Sequence, residues 1–278
     1  MRRWALIALA GVGLLGLLLW GGMRWLGAKE SSARSSKAVI ILMYHKVNPD
    51  PRAGGLGLRV PPEKFEWQMR YLKTHGYHVV SMEEAYDYLT RGKPLPPKPV
   101  VITFDDGYED NYLYAWPILK RYGYPATIFL AADAVGSYNF FDADYGRQPR
   151  NQMLTWQEIK EMATSGKITF GAHTMTHPRL TKVDPERQRY EIFRCREVLG
   201  KKLGRPVDFF SYPYGDFDAR VVELVKEAGF KGAVTCVQGV NWPGADPYTL
   251  KRVRVMGSYS EAKFVHELKR HLEEPKGR

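Results

Sequence analysis

Two adjacent carboxylates, Asp105 and Asp106, end an apolar run that begins at Val100 and are followed at once by Gly107. Like charges side by side repel, and neither can be buried unpaired without a large cost. A cation would relieve that cost; an Asp-rich turn at a strand end is the alternative. A second signal lies at His173-Thr-Met-Thr-His177. If that segment turns helically, its imidazoles share one face and suit one metal ion, although Pro178 limits the turn. Two histidines and one aspartate would leave positions open for water and substrate, the pattern of a catalytic zinc-type site. Such an ion lowers the pKa of water and polarises a carbonyl. One carboxylate would then ligate while its neighbour takes a proton. A further titrating group must protonate a leaving amine. Among the seven histidines His45 is the candidate, and a structural histidine is its alternative; His75, His78, His266 and His271 read as ordinary.

These residues need elements that bring them together. Ala38–Met43, Val100–Phe104, Lys167–Ala172 and Val207–Ser211 read as strands, and His45, Asp105-Asp106, His173 and Tyr214 each fall just after one. Phe65, Met69 and Leu72 mark a helix. Ser81 with Glu84 and Thr155 with Glu158 form capping boxes, and Asp184-Pro185 opens a long helix. Strands alternating with helices predict an α/β fold with a parallel sheet of seven to eight strands, either an open sheet or a barrel. Functional residues belong at the carboxyl ends of such strands in both. Residues 133–152 form a long aromatic loop, a length that is often functional.

The 278 residues, 44% hydrophobic, suffice for one domain. The formal charge of +11 fits an anionic membrane or wall polymer, and no basic block interleaved with aromatics points to nucleic acid. Cys195 and Cys236 lack metal or redox spacing; one disulfide or two separate buried thiols are the alternatives, and two cysteines do not make a disulfide scaffold. Arg2 and Arg3 precede an uncharged run from Trp4 to Met23, with Trp20 and Trp25 at its far end. That run is long enough to span a bilayer. Residues 1–27 are therefore expected to be an uncleaved signal anchor, with a cleaved signal peptide as the rival. Residues 28–37 are then a linker, 38–260 an extracellular catalytic domain, and 261–278 a charged helical tail. Oligomeric state is not encoded in any motif.

Thr103-Phe-Asp-Asp-Gly107, His173–His177 and Phe210-Ser-Tyr-Pro-Tyr-Gly215 resemble, in order and interval, three motifs of the NodB-like polysaccharide deacetylases, carbohydrate esterase family 4. The resemblance implies a distorted (β/α) barrel of about seven parallel strands and metal-dependent removal of N-acetyl, sometimes O-acetyl, groups from polysaccharides. It implies Asp105 as general base; Asp106, His173 and His177 as ligands of one divalent ion, zinc by default; and the backbone N–H of Tyr214 as an oxyanion donor. Many members carry, where this chain has Ser211, an arginine that orients the base, so here either another residue orients Asp105 or its pKa is tuned differently. The C-terminal Leu-x-His of many members is also missing, and Asn241-Trp242 only faintly resembles a fourth motif. Met43-Tyr-His-Lys-Val47 is similar to the branch containing poly-N-acetylglucosamine deacetylases, in which a first-strand histidine serves as acid; that implies the role for His45. An acetylated polysaccharide is the implied partner. An O-acetyl esterase and a non-catalytic glycan-binding module are the alternatives. Tyr138, Phe140, Phe141, Trp156 and Trp242 are candidates to stack on sugars or to fill the core.

Overall fold

Runs of apolar residues without polar alternation make strands covered on both faces, and the chain is built around them. In a computed structural model, residues 38–270 and 272 are described. Strands β1 (Ile40–Tyr44), β2 (Lys46–Val47), β3 (Arg59–Val60), β4 (His78–Val79) and β5 (Pro99–Phe104) are followed by β6 (Ala126–Leu130), β7 (Ile168–Ala172), β8 (Phe209–Ser211), β9 (Gly232–Gln238) and β10 (Leu250–Arg254). The succession β5-β6-β7-β8-β9-β10 is parallel, and β1 joins its two ends by pairing with both β10 and β5. The result is a closed barrel of seven parallel strands, as the resemblance implied. It is distorted. The β9–β10 register shifts between Leu250 and Arg252, and β7 meets β8 through the single pair Ala172↔Phe210. Strand β4 lies beside the first half of β5, whereas β6 pairs with its end. The β2–β3 ladder stands apart.

Successive strand residues face opposite ways. One set, including Ile40, Leu42, Val100, Ile102, Ile128 and Phe170, packs beneath the helices. The other, including Val39, Ile41, Val101, Phe129, Phe209, Val234 and Leu250, forms the barrel interior, with Met82, Ala85 and Leu89 of the helix Met82–Arg91 packed against it. Gly171 belongs to that interior, where a Cβ would fall 2.4 Å from Phe129. Continuing the same alternation upward brings Thr103, Asp105, His173, Ser211 and Arg252 to the interior at the carboxyl ends of the strands.

The helix Pro62–Thr74 buries Phe65, Met69 and Leu72, and both capping boxes are formed. Two expected helices depart from α geometry. Pro117 has no N–H to donate, and the winding before it widens over Asn111–Ala115, where the Trp116 N–H reaches Asn111 O. A similar turn, Tyr190–Arg194, interrupts the helix opened by Asp184-Pro185. The aromatic loop contains a short helix, Phe140–Ala143. The helix Glu261–Arg270 buries Phe264 and Leu268 against the core. Trp156 and Trp242 also pack against the core, and Asn241 bonds Lys251 N and O beside β10. Both cysteines are free thiols. The expected anchor and linker, residues 1–37, and His271 lie outside the described residues. Among the described residues no helix is long and apolar enough to cross a membrane.

Candidate metal centre and active site

The turn after β5 places the first two carboxylates. Asp105 continues the strand, its N–H donating to Tyr44 O at 3.0 Å. Asp106 has φ +75° and Gly107 φ +85°, so the chain reverses at once. A Cβ on Gly107 would lie 2.6 Å from Leu130 Cδ2, which leaves glycine as the residue that fits. The reversal sends adjacent side chains in different directions. Asp106 turns toward β7, while Asp105 stays over the barrel axis.

The histidine pair is positioned differently from the expectation. Residues 173–177 form an irregular bend with left-handed residues at Thr174 and His177. The Thr174 hydroxyl donates to His173 O at 2.6 Å and accepts from His177 N at 2.9 Å, which closes the bend locally. Buried Glu191 holds it from outside by accepting from Thr176 N and Oγ1 at 2.8 and 2.6 Å, and it is itself paired with Arg187 at 2.7 Å. Of the five non-glycine residues with positive φ among those described, Asp106, Thr174, His177 and Tyr214 lie here. Such conformations persist only where the surroundings over-determine them.

The bend brings His173 Nε2 and His177 Nε2 each to 3.3 Å from Asp106 Oδ1. All three residues are buried, and their ligand atoms lie within 4.8 Å of one another. His173 Nδ1 is 2.7 Å from Ser211 O. A carbonyl can only accept, so Nδ1 carries a proton, and in the neutral ring Nε2 presents its lone pair toward Asp106. Two imidazole nitrogens and a carboxylate oxygen gathered at this range fit a cation among them, and the bond to Ser211 O gives His173 the fixed orientation that a metal ligand needs. His177 is held by packing between Phe141 at 4.3 Å and Tyr214 at 4.6 Å.

Asp105 has a partner that sequence reasoning missed. Arg252, fully buried in β10, grips it with Nη1 to Oδ1 at 2.8 Å and Nη2 to Oδ2 at 2.6 Å. Its remaining N–H groups reach Thr235 O at 2.8 Å, and Thr103 Oγ1 and Ser211 Oγ at 3.2 Å each, so all five donors are used. Ser211 Oγ in turn donates to Asp105 Oδ1 at 3.2 Å. Arg252 thus orients the carboxylate from another strand, the first of the two alternatives that Ser211 leaves open. Burial alone would raise the Asp105 pKa; the charge and hydrogen bonds of Arg252 overcome that and hold it below the usual carboxylate range.

His45, just past β1, lines one cavity of about 240 Å³ with Asp105, Asp106, His173, His177 and Tyr214. The six residues singled out from the sequence therefore converge. Burial lowers the pKa of His45, against the opposing pull of Asp106 and Asp105. A depressed pKa makes the imidazolium a better donor when it forms, while reducing its population. Its backbone is anchored by Asn111 Nδ2, which donates to His45 O at 2.8 Å. Asn111 also bonds Asp110, whose carboxylate accepts from Val47 N at 3.2 Å. The Tyr214 hydroxyl faces Asp142 at 3.4 Å and accepts from Arg147 at 3.2 Å.

A family model described as Polysaccharide deacetylase matches residues 92–233. The chain is 34% identical over 224 residues to YxkH of Bacillus subtilis (strain 168), provisionally named a polysaccharide deacetylase, covering 81% of this chain and 74% of that one. It is 29% identical to the poly-β-1,6-N-acetyl-D-glucosamine N-deacetylase of Staphylococcus aureus (strain MRSA252), over 76% of this chain and 71% of the other. The solved structure of IcaB from Ammonifex degensii superimposes with a TM-score of 0.69 at 31% identity, covering 79% of this chain and 92% of that one.

Proposed function

This chain belongs to the polysaccharide deacetylase family, and from that premise we propose that it is a hydrolase that removes N-acetyl groups from a polymer containing N-acetylglucosamine. The observation that carries this reading is the buried Asp106, His173 and His177 group beside a carboxylate, Asp105, that is locked by its own arginine. A divalent cation held by the three residues, with zinc as the default, would supply Lewis acidity toward water and the acetyl carbonyl. Asp105 stays ionised, does not need to ligate, and takes the proton of the attacking water. His45, at the end of the neighbouring strand β1 in the same cavity, delivers a proton to the leaving amine. The turn at Tyr214 offers its backbone N–H to the developing oxyanion. Arg252 supplies the orienting charge that Ser211 lacks, which favours catalysis over a binding-only relative. Relatives named as N-deacetylases favour the amide over the ester. The apolar run from Trp4 to Met23 supports attachment to a membrane with the catalytic domain outside the cell, where such polymers lie.

The test is acetate release from soluble N-acetylglucosamine polymers by the full chain, with bound metal quantified in parallel. Asp105→Asn is expected to lower the rate by about 10²–10⁴-fold while retaining the metal. Full activity in that variant would remove Asp105 as base. Bound metal with no acetate from any acetylated glycan would return the binding-only reading.

A further inference from the structure

Beyond Tyr214, a second cleft of about 400 Å³ is lined by Phe140, Tyr145, Arg147, Arg179 and Tyr214. It is continuous with the site cavity, because His177, Arg179 and Tyr214 line both. The Arg179 guanidinium lies 4.3 Å over the Tyr214 ring. Arg147 donates to Tyr214 Oη and to Phe141 O, and stands 4.9 Å over the exposed Tyr145 ring. In the site cavity itself, Arg254 donates to Gly57 O at 3.3 Å, and its buried Nε has no hydrogen-bond partner among the described residues.

This wall is positive. Asp105 is neutralised by Arg252, and Asp106 belongs to the ligand group. Asp142, 3.9 Å from Arg147, is the one other carboxylate lining the site cavity, so it opposes three guanidiniums among the described residues. A neutral polymer brings oxygen acceptors but no charge to such a wall, and each acetyl removed leaves an ammonium that the wall repels. Guanidinium forks fit carboxylate and phosphate oxygens in pairs, and the aromatic floor of Phe140 and Tyr145 suits a sugar face.

We propose that the glycan carries an anionic group, a carboxylate or a phosphate, on the sugar next to the one that loses its acetyl group, and that Arg147 and Arg179 bind it. This rests on reading the Asp106, His173 and His177 group as the deacetylating centre. The probes are three soluble N-acetylated polymers: glycol chitin, which is neutral, carboxymethyl chitin and phosphorylated chitin. Binding to the full chain at low salt and acetate release are measured for each. At least one anionic polymer is expected to bind about tenfold more tightly than the neutral one, and the two anionic arms separate carboxylate from phosphate. In Arg147→Gln/Arg179→Gln the ratio falls toward one, and in Arg147→Glu/Arg179→Glu it inverts. Both side chains are exposed, so circular dichroism is expected to show unchanged folding. Equal binding of all three polymers overturns the proposal, as does a preference that survives in the double Gln variant and so reflects net charge alone. Ordered binding without acetate release would leave the cleft standing and sink the deacetylase reading; acetate release without ordered binding would do the reverse.

Discussion

Asp105 must be buried and ionised at once, and Arg252 reconciles the two. Replacing it as Arg252→Gln leaves an uncompensated buried carboxylate, a change that costs about 3–5 kcal/mol when a buried pair is broken. Burial, the largest influence on Asp105, then outweighs the weaker pull of His173 and His45, so its pKa rises. The acidic limb of the kcat/KM profile is expected to move to higher pH, with a smaller shift in Arg252→Lys, which keeps the charge but loses the fork. An unmoved limb in both variants would mean that Asp105 is not the group titrating in that limb. The carboxylates and the histidine pair were legible because each combines an unusual local pattern with a place after a strand. Arg252 was not legible. In Leu250-Lys-Arg-Val-Arg254 it is one cation among three, and its partner lies far away in sequence. The one available signal was parity, two residues on from the interior residue Leu250. Ser211 shows that any orienting group must come from elsewhere, but a sequence cannot show which neighbouring strand fills the space that a small side chain leaves.

At the scale of elements, the turns after the strands carry the precision. The capping boxes and the buried strands were readable from local composition, whereas the bend at 173–177 was not. Its shape is set by the Thr174 hydroxyl bonding back into the backbone and by Glu191 from a distant helix, and neither enters an i, i+4 argument. The turn after Asp106 holds a further acid, Asp110, which ties the segment following His45. Burial pushes its pKa up to about 6, against the hydrogen bonds of Val47 and Asn48 and the charge of Lys46. The folded pKa therefore lies above the unfolded one. The native state binds the proton more tightly, so this group favours folding at low pH. That advantage is lost as pH rises from about 4 to 6, to the extent of about 2–3 kcal/mol. Asp110→Asn keeps an oxygen for Val47 N and removes the titration. Urea unfolding across this window is expected to show a flatter pH dependence in the variant than in the parent; parallel curves would show that Asp110 is not responsible.

At the scale of the molecule, alternating strands and helices announced a parallel sheet, but closure was not legible. The β1–β5 and β1–β10 pairings join segments distant in sequence, and local composition does not encode them. The candidate ligands come from the loops after β5 and β7, so a bound ion ties those two loops together. A ligand that binds only the folded state stabilises it by mass action, about 2.7 kcal/mol at a hundredfold excess over Kd. Chelation is therefore expected to lower Tm while leaving the far-ultraviolet circular dichroism of the folded baseline unchanged, and re-addition of zinc to restore it. A Tm indifferent to chelator and to Ala substitution of His173 would argue against an ion at this site. Barrel closure has one further consequence, for the order in which the protein is made. Met43 of the first strand pairs with Arg254 of the last, and Arg252 reaches Asp105 only from that last strand. A nascent chain that already contains Asp105, Asp106, His173 and His177 still lacks the arginine that readies its base. Competence to react thus arrives with the final strand, and a chain stalled or truncated before it carries every motif but stays inert.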